Sequence, residues 1–165
     1  MKLFHGSNVE VKIPELGRSR RALDFGSGFY VTSDFDQAKR WAIRSAKVRK
    51  SGTPIVNCYE FDEENLNFLD VLYFESAGKT WLQYVCKNRK NEHCSENPDL
   101  VVGPVVDDQT IRVITDYLNG LYSEEIALQL LLPQKLKDQY NVTKLRFIHL
   151  VRPRRISNSN SSLYK

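Results

Sequence analysis

The chain has 165 residues, 41% of them hydrophobic and 27% charged, which suits one domain with a sizeable core and leaves little room for two independent ones. No apolar run approaches the roughly 18 residues that span a bilayer, and Met1 to Gly6 lacks the apolar stretch of a secretory signal, so a cytoplasmic protein without a membrane partner is expected. The net charge of +4 is uneven: residues 1–50 carry 11 basic and 5 acidic groups, 51–143 carry 7 and 15, and 144–165 carry 6 and none. Termini that fold together would give a basic face suited to a polyanion.

Lys2 to His5 reads as a first strand, broken by Gly6-Ser7-Asn8, and the alternation Val9 to Ile13 predicts a second before Pro14. Glu15 to Leu23 is a polar loop with Arg18, Arg20 and Arg21. Asp24-Phe25-Gly26-Ser27-Gly28 is a glycine turn feeding the aromatic strand Phe29 to Thr32; such glycines permit positive φ and close backbone approach. Ser33 or Asp34 caps a helix over Phe35 to Val48, with Phe35, Ala38, Trp41, Ala42 and Ala46 at helical spacing. Ile55 to Phe61 is a strong strand and Leu66 to Val71 a shorter one. Ser76 to Asn88 is helical, and Pro98 to Pro104 reads as a buried strand closed by Gly103-Pro104. Thr110 to Leu118 and Ile126 to Leu132 are helices, the second capped by Ser123 and stopped at Pro133. Gln139 to Thr143 and Arg146 to Arg152 are the last strands, and a frayed basic and polar tail is expected from Pro153.

Mixed strands and helices without regular βα alternation give an α+β domain over residues 1–152. The Gly26-Ser27-Gly28 pair lacks the third glycine and downstream acid of a dinucleotide fingerprint, which excludes a Rossmann reading. Cys58, Cys86 and Cys94 are odd in number and lack CxxC spacing, so reduced thiols are expected, and Cys86, His93 and Cys94 want a fourth ligand for zinc. No metal is expected. Candidate chemistry therefore rests on His5 at a strand end, on Phe25 and Tyr30 as flat rings around the glycines, and on a late polar residue, with Gln129, Gln134 and Gln139 available and Asp107, Asp108 and Asp138 as acids.

Phe4-His5-Gly6-Ser7 followed by Asp24 to Thr32 resembles the NAD-binding half of the ADP-ribosyltransferase fold in its histidine-tyrosine class, a split and bent β-sheet core with flanking helices. More narrowly, Trp81 to Arg89, Pro98 to Asp108, Asp138 to Thr143 and Leu145-Arg146-Phe147 are similar to successive segments of a family of small bacterial proteins of unknown function within that superfamily. The resemblance covers residues 3 to about 151. It implies NAD as co-substrate, with His5 bonding the ribose and carboxamide region, Gly6 and Ser7 beside it, and Tyr30 stacking on nicotinamide. Asp24, Phe25 and Gly28 line the same loop, and Arg18 with Arg20 or Arg21 would hold the pyrophosphate. The usual glutamate is replaced by Gln139, which orients a hydroxyl but supplies no countercharge, leaving Asp107, Asp108 or Asp24 as candidate acids. By the same resemblance the expected activity is mono-ADP-ribosylation by an intracellular toxin or phage-defence effector, restrained by an antitoxin protein partner. RNA or DNA is the first acceptor to consider, given Arg18 to Arg21 and Arg152 to Arg155. An NAD glycohydrolase, a transferase acting on protein and a silent NAD- or nucleic-acid-binding module are the rivals.

Overall fold

The computed structural model describes residues 1–16, 23–90, 98–132, 136–143 and 148–156, the last of these through its backbone alone over 148–152. Arg18, Arg20, Arg21, His93, Cys94 and Gln134 lie outside the described residues. The chain is α+β, and the seven strands among the described residues fall into two sheets in two compact units.

The first unit comprises residues 1–14, 31–63 and 146–165. Its sheet has β3 (Ile55–Phe61) between β1 (Lys2–Ser7) and β7 (Ile148–Arg155), antiparallel to both. A register shift between Cys58 and Tyr59 bends the β3–β7 ladder, and β7 runs to Arg155, three residues past its expected end. The run Ile55 to Cys58 is buried on both faces, as its β-branched composition predicts. Helix α1 (Phe35–Arg49) is capped by Asp34, whose side chain accepts from the Gln37 amide at 2.8 Å. It buries Gln37, Ala38 and Ala42, and the two alanines form a small core with Val56. Gly6 makes that fit possible: a Cβ there would lie 2.0 Å from the Ala38 carbonyl oxygen.

The second unit comprises residues 15–30 and 64–145. The four-stranded sheet runs in the order β2 (Phe29–Val31), β6 (Asp138–Val142), β5 (Leu100–Pro104), β4 (Val71–Tyr73). β5 is antiparallel to β6 and parallel to β4. Helices α2 (Lys79–Arg89), α3 (Thr110–Leu118) and α4 (Glu124–Leu131) supply much of this unit's core, including Trp81, Leu82, Val85, Ile114 and Leu131. The Trp81 indole donates to the Pro104 carbonyl at 3.0 Å, which satisfies the one polar atom of a fully buried ring.

Two expected strands are absent. Val9 to Ile13 is not a strand, because side chains satisfy its backbone in place of a ladder. Asn57 Oδ1 accepts from the Val11 amide at 2.9 Å, and the Tyr59 hydroxyl donates to the Val11 carbonyl at 2.7 Å. Leu66 to Val71 is also not a strand: Glu63–Phe68 forms a 3-10 helix, and pairing begins only at Val71. The acidic and amide side chains there favour local bonding, as the Asn67 amide donating to the Glu64 carbonyl shows.

Candidate functional site

In the first unit the candidate residues are His5, Gly6 and Ser7 at the end of β1. His5 is half-buried and sits opposite Asn57 in the ladder, where the Asn57 amide donates to the His5 carbonyl at 3.3 Å. That same amide reaches the Val9 carbonyl at 3.4 Å. One fully buried asparagine thus sets the course of the chain from His5 to Val11. Gly6 is spoken for by the passage of α1 over it, and Ser7 is buried. Asn8 follows, with its amide bonded to the Ser51 carbonyl at 3.1 Å and its buried Oδ1 without a partner among the described residues.

In the second unit the glycine loop 24–28 is fastened from two elements. From α2, the Asn88 amide donates to the Asp24 carbonyl at 3.3 Å and Arg89 Nε to the Asp24 carboxylate at 2.7 Å. From β6, the Asn141 amide donates to the Phe25 carbonyl at 2.8 Å and to the Ser27 carbonyl at 3.4 Å. Gly26 has φ of +77°, the left-handed region that glycine favours. Gly28 is required for a different reason, since a Cβ there would meet Asn141 Oδ1 at 1.7 Å.

Tyr30 closes the same loop from within. Its hydroxyl donates to the Gly26 carbonyl at 2.7 Å and accepts from the Phe25 amide at 3.0 Å. Burial pushes the phenol far above its ordinary value, so it stays protonated and works as a donor. Burial also raises the Asp24 carboxyl, against the opposing pull of the Arg89 guanidinium.

Phe25 is not an exposed stacking platform: its ring is 2% exposed and packs against Phe74 and Tyr84, with centroids 6.1 and 6.2 Å away. Gly103 belongs to the same packing, because a Cβ there would lie 2.9 Å from the Phe74 Cβ. Asp107 serves the start of α3, its carboxylate accepting from the amides of Gln109 and Thr110 at 3.0 and 2.9 Å. Asp108 is exposed.

Gln139 and Asn141 lie two residues apart on β6, on one face, opposite Gly103 and Val101 of β5. Gln139 is 8% exposed, and its Nε2 has no hydrogen-bond partner among the described residues. Asn141 is fully buried with Oδ1 equally unsatisfied. A buried donor and a buried acceptor thus lie two residues apart on one strand, an uncommon pairing in a folded protein. The neighbouring strand β2 carries Tyr30.

Asn57 and Asn141 do not stand out in a motif reading. The one sequence signal for Asn57 is its place inside the largely apolar Ile55–Phe61, where β-propensity disfavours it, and Asn141 has no such contrast in the polar run Asp138–Val142.

Among the described residues no group of three or more His, Cys, Asp or Glu is placed to hold a metal ion, and no helix is long and apolar enough to cross a membrane. Cys58 and Cys86 are buried and form no disulfide. Searches of curated proteins and of solved structures find no match to this chain. Its residues 1–152 match the model of a family described as a protein of unknown function (DUF3990), and the chain belongs to that family.

Proposed function

We propose that this protein transfers ADP-ribose from NAD to a macromolecule, with nucleic acid as the leading acceptor. Its proposed setting is that of an intracellular toxin or phage-defence effector restrained by a protein partner. The observation that carries the reading is Gln139. A buried amide nitrogen without a partner costs about 1–3 kcal/mol, and Nε2 of Gln139, unpartnered among the described residues, falls where the ADP-ribosyltransferase resemblance places the third functional residue. A ligand hydroxyl that accepts from Nε2 would remove that cost. The separation of the strands into sheets of three and four supports the split-sheet fold that the resemblance implies.

NAD supplies a glycosidic bond whose leaving group, nicotinamide, departs as a neutral base. In the net transfer that bond breaks, a bond from the ribose carbon to the acceptor forms, and the acceptor loses one proton. The residues divide the work. His5 bonds the ribose and carboxamide region, the Tyr30 ring stacks on nicotinamide, and Gln139 orients a ribose hydroxyl without adding a countercharge. Tyr30's own hydroxyl is occupied in holding its loop, so its role falls to the ring.

Nicotinamide release, followed chromatographically, tests this. His5→Ala, Tyr30→Ala and Gln139→Ala each reduce it at least tenfold on this reading, and Gln139→Glu raises it by restoring the carboxylate. Full activity in both His5→Ala and Tyr30→Ala sinks the assignment. The neutral Gln139 favours one second reading, a module that binds NAD without cleaving it; calorimetric binding with no nicotinamide released identifies that case.

A further inference from the structure

Helix α1 is more than a cover for β1 and β3. Between Phe35 and Lys50 the chain carries Lys39, Arg40, Arg44, Lys47, Arg49 and Lys50 against one acid, Asp36. Its unit as a whole has 13 Lys and Arg against 6 Asp and Glu. Trp41 on this helix is 47% exposed, with the Arg44 guanidinium 5.4 Å from its ring centroid. Arg154 of β7 adds another cation at the first turn, 5.2 Å over the Phe35 ring. Among the described residues Arg40, Lys47, Arg49 and Lys50 make no ion pair.

At about 100° per residue, with Ala38 and Ala42 facing inward, Arg40, Arg44 and Lys47 take the middle of the outward arc. Trp41 and Val48 then lie along one edge and Ile43 along the other. A helix that lies on a bilayer needs one continuous apolar stripe. Here cations divide the apolar residues, so the pattern fits a chain of phosphates with an unpaired base stacked at its edge.

We infer that the outward face of α1 is a docking surface for single-stranded nucleic acid, with Arg40, Arg44 and Lys47 on the phosphates and Trp41 stacking a base. The inference deepens the proposed function by giving the acceptor a place to bind, and it rests on that reading for its biological role. Binding is measured without NAD, so its failure and the failure of NAD turnover are scored separately.

The test uses fluorescein-labelled 12-mers of uridine and of thymidine, read by anisotropy from 50 to 200 mM KCl, beside vesicles of mixed phosphatidylglycerol and phosphatidylcholine. Trp81 is fully buried, so quenching of tryptophan emission on titration with the oligonucleotide reports Trp41. Arg40→Gln/Arg44→Gln is expected to weaken binding at least tenfold and to flatten the log–log salt slope by about 1.4. Trp41→Ala is expected to weaken it about fivefold to a hundredfold, leave the slope unchanged and abolish the quenching. The substituted side chains lie on the outward face of the helix, away from the buried Ala38 and Ala42, and circular dichroism confirms that the variants fold. Equal affinity of wild type and variants, or binding to the vesicles without binding to either oligonucleotide, overturns the inference.

Discussion

Gly28 and Asn141 give a prediction that isolates how the glycine loop is held. Gly28→Ala alone places a Cβ 1.7 Å from Asn141 Oδ1 and 2.5 Å from its Cγ. The asparagine cannot swing clear without giving up its 2.8 Å bond to the Phe25 carbonyl. The single variant should therefore lose more than about 3 kcal/mol, the combined cost of overpacking and a broken buried bond. Asn141→Ala leaves the Phe25 carbonyl without that donor, a loss of about 1–3 kcal/mol, while removing Oδ1, Cγ and Nδ2, the nearest atoms that the new methyl would strike. The double variant should then be about as stable as Asn141→Ala alone, a coupling of about 3 kcal/mol. Urea denaturation followed by the emission of buried Trp81 measures all four proteins in the unit concerned, with unchanged m-values as the check on compactness. Additive losses within about 0.5 kcal/mol would refute the packing argument.

Gly6→Ala should be the most damaging conservative change in the first unit. Its Cβ meets backbone, the Ala38 oxygen at 2.0 Å and the Ala42 nitrogen at 2.6 Å, so α1 must lift from β1 at a cost above about 3 kcal/mol; a thermal midpoint unchanged from wild type contradicts this. Tyr30→Phe keeps the ring but removes both hydroxyl bonds to the loop, so it should cost about 1–3 kcal/mol in urea denaturation while retaining nicotinamide release. Parallel loss of both properties in that variant would move the role to the hydroxyl. Asp24 has a pH signature. Its carboxyl is raised above 3.8 in the native state, mainly by burial, so the folded protein holds that proton more tightly than the unfolded chain. The stability this contributes is present below 3.8 and is lost as the pH rises through the raised native value. Arg89→Met removes the opposing charge and moves that loss to higher pH, which a carboxyl-carbon NMR titration of Asp24 reads directly; an unmoved titration rules out the Arg89 contribution.

Much of the fold is legible in local pattern. The β-branched run at Ile55, the Asp34 and Ser123 caps, and the spacing of Ala38 and Ala42 each act within a few residues, and each element forms where those signals put it. Val9 to Ile13 alternates like a strand but lacks a ladder, because Asn57 and Tyr59, distant in sequence, take its hydrogen bonds. The glycines show the same limit. Positive φ is a local property and accounts for Gly26, whereas Gly6, Gly28 and Gly103 are glycine because of distant atoms in α1, Asn141 and Phe74. Tyr30 is marked by the motif, but its inward-turned hydroxyl is not, and neither is the use of Asp107 to hold the amides of Gln109 and Thr110 at the start of α3. The unsatisfied Gln139 Nε2 and Asn141 Oδ1 on β6 required both the register of that strand and its burial.

Incubating the protein with NAD labelled in its adenylate phosphate, together with total RNA, single-stranded DNA and cell lysate, reads ADP-ribosyl transfer itself. Covalent label on a macromolecule, highest on the RNA or DNA and lost in both His5→Ala and Gln139→Ala, is the predicted result. Intact NAD after prolonged incubation with all three acceptors would contradict it.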